Sequence, residues 1–551
     1  MRRPTQRQKP RKTEIMSFPA PTMGLISNRN LAVPAQGGAA IMCNFFPTPQ
    51  GNRLRRGCQR RATMPGNADL RALFAYNKDG GEQLFAATDD GIWDITSVQN
   101  PYPQAISPAE NEVISDGTHG IGWYSVPEDG NLHPSTSGAW ITAQYSTVGG
   151  TFMIGVNGED PAFIYDGDTF EEADITFPEG STLTTADLSY VWVYKSRIYF
   201  AQKGTLDAWY LPVDQIGGGL TLLPLGGTFP RGGSLLFGQS WSLSSGGDGG
   251  LSEQNTFCTT EGEVAIFQGL SPDDASTWDK VGVYSIGKPL GNKAWIRAGG
   301  DLVIATSLGF IPLSQAIDKD TAVLGAKAVS QLITDTWQEA VRNRGMTGWE
   351  CEIWPENSMV VISTPTPVGE TPLVLVCHAD TGAWGTFSGW KPLCFEVFRG
   401  RLFMGSTGGK VQEAWVGGSD EGVGYTGTVL PLFDDMGTPM QRKIAKFARV
   451  ARLSSYETHV QVIGRFDWNL QTPPAPNAVT IPLGNEWNNG IWDVSIWNTE
   501  RGTFRQQEWR SVGGSGYAAS VLVQVTSGAA VPLDVEIARI DLSYEVADIV
   551  T

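Results

Sequence analysis

LFAATDDGIWDI, residues 84–95, is the stretch from which the fold can be read. An apolar run, Leu84 to Ala87, meets the turn formers Asp89, Asp90 and Gly91, and a second apolar run carrying Trp93 follows. Alternation on both sides of an Asp/Gly turn is the pattern of a β-hairpin. The same unit recurs in TFMIGVNGEDPAFIYDG from Thr151, RIYFAQKGTLDAWYL from Arg197, NTFCTTEGEVAIFQG from Asn255 and DLVIATSLGFIPLS from Asp301, then from Ser358 and from Arg401. The first strands open near residues 84, 152, 197, 256, 302, 359 and 402, roughly 50 residues apart, which is the spacing of β-propeller blades. The expectation is an all-β chain: a divergent propeller of six to eight blades over residues 70–425. The spacings are uneven and no WD or kelch signature recurs.

Two segments depart from the hairpin texture. From Lys327 to Asn343 the apolar residues Val329, Leu332, Ile333, Trp337, Ala340 and Val341 fall on a 3.6 period and Gly345 follows, which predicts one inserted amphipathic helix packed on the propeller rim. After Gly427 alternating strands are expected at Ala448–Leu453, His459–Phe466, Ala518–Val525 and Val535–Tyr544, a C-terminal β-sandwich-like platform over 426–551. A Trp-rich stretch, NEWNNGIWDVSIWN from Asn485, lies between these strands. Residues 25–69 are read as N-terminal strands packing with that platform, and 1–24 as a basic arm.

The composition fits turn-dense β-structure: 66 Gly and 33 Pro with 41% hydrophobic residues across 551 positions. The 19 Trp are scattered, as when wide rings fill the space between packed sheets. Net charge is −17, yet Arg2, Arg3, Arg7, Lys9, Arg11 and Lys12 put +6 on the first twelve residues and leave −23 on the rest. A body that acidic argues against wrapping DNA, while the arm suits an acidic partner. The six cysteines hold no CxxC pair, which points to free thiols. No continuous apolar stretch follows the arm, so neither a signal peptide nor insertion of this chain into a membrane is expected.

The residues supply little chemistry. Four histidines (His119, His133, His378, His459) lack partners at metal-ligand spacing, so no metal site is expected. GGGL at Gly217–Leu220 precedes apolar strands instead of a helix, and no nucleophile elbow occurs, so neither a phosphate cradle nor a cofactor site is read. The acid pairs Asp89–Asp90 and Glu171–Glu172 sit at turns, where solvated carboxylates are the rule. Asp380-Thr381-Gly382-Ala383-Trp384 resembles the Asp-box hairpin of sialidase-type propellers, itself a structural element.

Several stretches together carry a wider resemblance: MCNFFPTPQGNRLRRGCQRRAT (Met42–Thr63), GGDGGLSEQNTFCTTEGEVAIFQG from Gly246, VGVYSIGKPLGNKAWIRAGGDLVIATSLGFIPLSQAI from Val281, EWNNGIWDVSIWN, and QQEWRSVGGSGYAA near the end. In their order they resemble the tail nozzle, or tail tubular, proteins of short-tailed bacteriophages and related prophages. The resemblance covers almost the whole chain after residue 24, and the basic arm stands outside it. It implies a non-enzymatic virion protein of the phage tail, made in the host cytoplasm: one subunit of a ring, six being expected, below the portal and its adaptor. Such a ring would meet tail fibre or spike proteins, retain packaged DNA and guide its ejection, with DNA passing the lumen without tight binding. The alternative is a receptor-binding or glycan-binding propeller of a tail. Candidate partner-docking residues are the arm's six cations with Arg442, Lys443 and Lys446. Candidate channel-gate loops are Gly217, Gly218, Gly219, Gly226 and Gly227, and Gly246, Gly247, Asp248, Gly249 and Gly250.

Overall fold

The computed structural model describes residues 13–28, 37–78, 81–96, 113–115, 122–125, 130–243, 252–274, 276–478, 504–529 and 531–547. The chain is all-β and divides into two compact units, 59–375 with 390–414, and 1–58 with 376–389 and 415–551.

The first unit is a β-propeller. Its inner strands, in chain order, are Leu70–Lys78, Ile141–Thr147, Leu188–Tyr194, Leu235–Leu243, Trp295–Ala298, Glu350–Trp354 and Pro392–Phe398. Each neighbours the next around the ring, Arg297 of the fifth reaching Gln239 and Ser240 of the fourth, and the last returns to the first. We number the blades one to seven in that order. Five are antiparallel sheets of three or four strands, the seventh is a six-stranded sheet in which Gly122–Ser125 pairs Cys58–Thr63 in parallel, and the sixth blade contributes the hairpin of Glu350–Trp354 with Met359–Ser363. The quoted stretch forms blade one's second and third strands, Gly81–Thr88 and Gly91–Asp94, with Phe85 opposite Asp94 and Thr88 opposite Gly91.

The ring closes across distant sequence. Blade seven takes Pro392–Phe398, Arg401–Ser406 and Lys410–Ala414 from the late chain, and its next strand is Cys58–Thr63. The hairpin of Val113–Ser115 and Gly122–Ser125 extends that sheet further. The buried Arg61 guanidinium seals the closure, its Nε donating to Glu413 Oε2 at 2.7 Å.

Tryptophans fill the seams between blades, where two sheet faces leave room for a wide ring. Trp140 meets Phe163 edge-on at 4.9 Å, and Trp192 meets Phe257 edge-on at 5.6 Å while donating its Nε1–H to Asn255. Beside Trp192, Gly238 leaves no room for a side chain unless the ring shifts: a Cβ there would lie 2.3 Å from the indole.

The inserted helix begins later than the periodicity predicts. The α-helix is Thr334–Arg344, preceded by 3-10 turns at Gly325–Lys327 and Val329–Ile333 and by short helices Leu313–Asp318 and Thr321–Leu324. Ala328 is extended, and Ser330 Oγ accepts the Phe310 N–H at 3.0 Å. This tertiary hydrogen bond ties the segment to strand Gly309–Pro312 and overrides the local helical period. The apolar face packs on blade five as expected: Trp337 stacks on Phe310 at 6.2 Å and donates to the Thr306 carbonyl. The helical segment follows a three-stranded blade. Among the described residues no helix is long and apolar enough to cross a membrane.

The second unit contains two sheets. In one, Glu536–Val546 pairs Thr13–Pro19 along its whole length and also pairs Lys443–Ser454. In the other, Trp384–Phe387, Ala39–Cys43, Tyr425–Pro431, Ala519–Ser527 and Gln461–Phe466 lie in that order. All nine residues of Ala519–Ser527 are buried, so this strand is covered on both faces. Here the N-terminal strands and the C-terminal region share sheets. The sequence reading placed the propeller at 70–425, whereas the compact unit holding it begins at Gln59, ends at Ala414 and omits 376–389. The Trp-rich stretch from Asn485 lies outside the described residues.

Candidate functional site

The inner strands leave an axial cavity of about 360 Å³ to which all seven contribute. Its wall on blades one and two is apolar or uncharged, with Leu73, Phe74, Ile141 and Thr142. Charge gathers on the opposite arc. Lys293, just before blade five, and Arg297 within it face Glu350 and Glu352 of blade six and Glu396 of blade seven.

Each acid is placed by its strand. Glu350 and Glu352 are two apart on Glu350–Trp354 and therefore project to the same side. Glu350 is buried, and its Oε1 accepts the Phe395 N–H at 2.9 Å, a link from blade six to blade seven. Glu352 Oε1 accepts the Ile353 N–H at 3.2 Å. Arg297 Nη2 donates to Gln239 Oε1 and Ser240 Oγ, both at 2.7 Å, and Gln239 Nε2 donates to the Tyr190 hydroxyl at 3.3 Å.

Enclosure within the ring disfavours the charged carboxylates, and their mutual repulsion adds to it. Burial and the neighbouring Glu350 push Glu352 up to about 8. Burial, then Glu352, hold Glu396 well above the usual carboxylate range. Glu350 is raised by burial, with Lys293 opposing. Burial pulls Lys293 down, but Glu350 and the other acids outweigh it and keep the ammonium above its ordinary value. The cavity thus holds carboxyl groups that keep protons near neutrality and can donate hydrogen bonds.

The residues singled out in the sequence lie elsewhere. Lys443, proposed for docking, is fully buried, and its Nζ donates to the Thr438 and Tyr517 carbonyls at 2.6 and 2.7 Å. Alternation along Lys443–Ser454 puts it on the same face as buried Ala445, so it is a structural lysine and not a docking one. Arg442 is exposed and donates to Ser515 Oγ at 2.9 Å, and Lys446 pairs with Glu545 at 3.4 Å. Arg2, Arg3, Arg7, Lys9, Arg11 and Lys12 lie outside the described residues, as do Gly246, Gly247, Asp248, Gly249 and Gly250. Gly218–Gly219 is a short strand parallel to Ile175–Thr176, and Gly217, like Gly226 and Gly227, belongs to the connections on either side of blade three's strand Thr221–Pro224. None of these five glycines lines the axial cavity.

The other sequence candidates are structural. Asp89 accepts from Arg71 at 2.9 Å and from the Gly138 N–H at 3.1 Å, and the Arg71 hydrogen bond holds its carboxyl below the ordinary range. Glu171 and Glu172 are exposed on the short strand Phe170–Glu172. The Asp-box-like turn closes a hairpin, Gly382 N donating to the His378 carbonyl at 2.9 Å with Trp384 fully buried beside it. Among the described residues no three His, Cys, Asp or Glu side chains are grouped to hold a metal. Sequence reasoning missed the axial acids because they come from strands far apart in the chain. A local trace existed in Trp349-Glu-Cys-Glu-Ile-Trp354, where acids alternate inside a strand flanked by tryptophans.

No protein-family model matches the chain, and no curated protein matches it in sequence. Solved structures similar to it include the β-propeller domain of Myceliophteria thermophila Cps50 (Swd1), at 12% identity and TM-score 0.35 over 66% of this chain and 99% of that one. The computationally designed Ika8 protein matches at 11% identity and TM-score 0.32, over 65% of this chain and all of that one. BBS1N, solved in complex with ARL6DN, matches at 10% identity and TM-score 0.33, over 66% of this chain and 96% of that one.

Proposed function

We propose that the chain is a structural subunit of the tail nozzle of a short-tailed phage. In this reading six copies form a ring that prolongs the DNA channel below portal and adaptor. The observation that carries it is the insertion of a closed propeller into a second unit. The chain passes between the two units four times, at 58/59, 375/376, 389/390 and 414/415. Tension on one unit therefore reaches the other through several covalent links, as suits a part that restrains packaged DNA.

The propeller's own axis is not the conduit, since a cavity of about 360 Å³ has the size of a small-molecule site. DNA would run between subunits along acidic walls, where repulsion keeps a polyanion centred and mobile. The same cavity, with Tyr190 and Trp295 at its wall, favours a second reading, a glycan-binding propeller.

Binding assays separate the two. The nozzle reading expects no retardation of duplex DNA at ~0.15 M salt and no glycan retained on an array. Tight, salt-sensitive DNA binding by residues beyond the first twelve would defeat it. Saturable glycan binding abolished by Trp295→Ala would favour the alternative.

A further inference from the structure

We infer that the axial carboxylates act as a proton-dependent clasp between blades six and seven: with a proton held among Glu350, Glu352 and Glu396 the seam is closed, and loss of that proton loosens it. The inference concerns the propeller itself and stands apart from the nozzle reading.

The geometry makes this seam the sensitive one. Glu350–Trp354 and Pro392–Phe398 are inner strands of different blades, and no ladder joins them. A carboxylate spans the gap instead, Glu350 accepting the Phe395 N–H. Glu352 and Glu396 face the same cavity from the two sides of the seam. Carboxyls so placed cannot all ionise without repelling one another. A proton held on Glu352 or Glu396 relieves that repulsion, while Glu350 keeps its bond to the Phe395 N–H.

The titratable or charged groups facing the cluster are few. Blade three presents the Tyr190 hydroxyl, kept neutral by its burial, and blade five presents Lys293 and Arg297. Blade six adds the Cys351 thiol and blade seven the Cys394 thiol, both pushed up by burial. Blades one and two bring no charged group to the cavity, and blade four brings Gln239. Two cations therefore oppose three acids, and complete ionisation leaves an excess of negative charge.

The sign of the effect follows from proton linkage. Between the ordinary carboxyl range and the raised value of about 8 for Glu352, the folded state holds a proton that the unfolded state has lost. Stability from this cluster is therefore present at low pH and falls as pH rises through that window, continuing higher for Glu396. Acids held below the ordinary range, such as Asp89 and Asp160, change stability only near and below pH 4, outside the window.

The test uses the full chain. Its melting temperature is followed from about pH 5.5 to about pH 9, and amide exchange, corrected for intrinsic rate, is read on peptides covering 350–363 and 392–406. The expected result is a falling melting temperature, with faster exchange at high pH confined to those two peptides. In Glu352→Gln and Glu396→Gln the fall should shrink by at least half. Lys293→Met, which removes an opposing cation, should move it to higher pH. Should the glutamine variants not fold, the wild-type infrared spectrum decides, since a protonated-carboxyl band present at pH 6 must weaken by pH 9. A melting temperature flat across the range, a fall unchanged in both glutamine variants, exchange spread evenly over the blades, or no such band would overturn the inference.

Discussion

Arg55 has no surface role and is buried at 1% exposure. Its Nη1 and Nη2 donate to Asp420 at 2.8 and 2.6 Å, Nη2 also reaches the Ser388 carbonyl, and Nε donates to Asn44 Oδ1 at 2.9 Å. The guanidinium lies 3.8 Å from the centre of the Tyr425 ring. Burial opposes its charge, but the Asp420 hydrogen bond and charge outweigh it and hold the guanidinium above its usual value. Arg55→Ala takes the forked guanidinium partner from the Asp420 carboxylate and should cost about 3–5 kcal/mol in urea unfolding. Arg55→Lys should recover less than half, because an ammonium cannot make the forked pair. A loss below about 1 kcal/mol for the alanine variant would remove Arg55 from this role. Arg55 lies in the stretch from Met42, but Asp420 is 365 positions away from it, and local periodicity carries no record of so distant a partner.

At the scale of the element, hairpins were legible and seams were not. Strand pairs such as Gly81–Thr88 with Gly91–Asp94 announce themselves through alternation and an Asp/Gly turn, both local features. The Trp192 seam depends on Gly238, 46 positions away, having no side chain. Gly238→Ala should therefore destabilise the propeller by about 1–3 kcal/mol through overpacking, read as a lower midpoint of thermal unfolding. A neutral effect would mean that the indole has room to move. The helix illustrates the opposite failure. Its period from Val329 was genuine in sequence, yet the Ser330–Phe310 hydrogen bond draws the first turns into 3-10 geometry, a contact that the pattern cannot encode.

For the whole molecule, blade repetition was legible because every blade repeats the same local pattern, whereas the axial acids come from strands that meet only when the ring closes. That closure rests on Cys58–Thr63 joining strands some 350 positions later. Among the described residues Arg61→Met leaves Glu413 paired with Arg401, at 3.8 Å, and should lower stability by about 2–4 kcal/mol, with the earliest amide exchange in 58–63 and 410–414. An unchanged exchange pattern would place the weak point of the ring elsewhere. The proposed assembly is a claim about many copies, and electron microscopy of the purified full-length chain over a rising concentration series tests it most directly. Closed rings of sixfold symmetry with an open, net acidic lumen between subunits are the expected result. A chain that stays monomeric at every concentration and also when mixed with portal–adaptor complexes of short-tailed phages would contradict it.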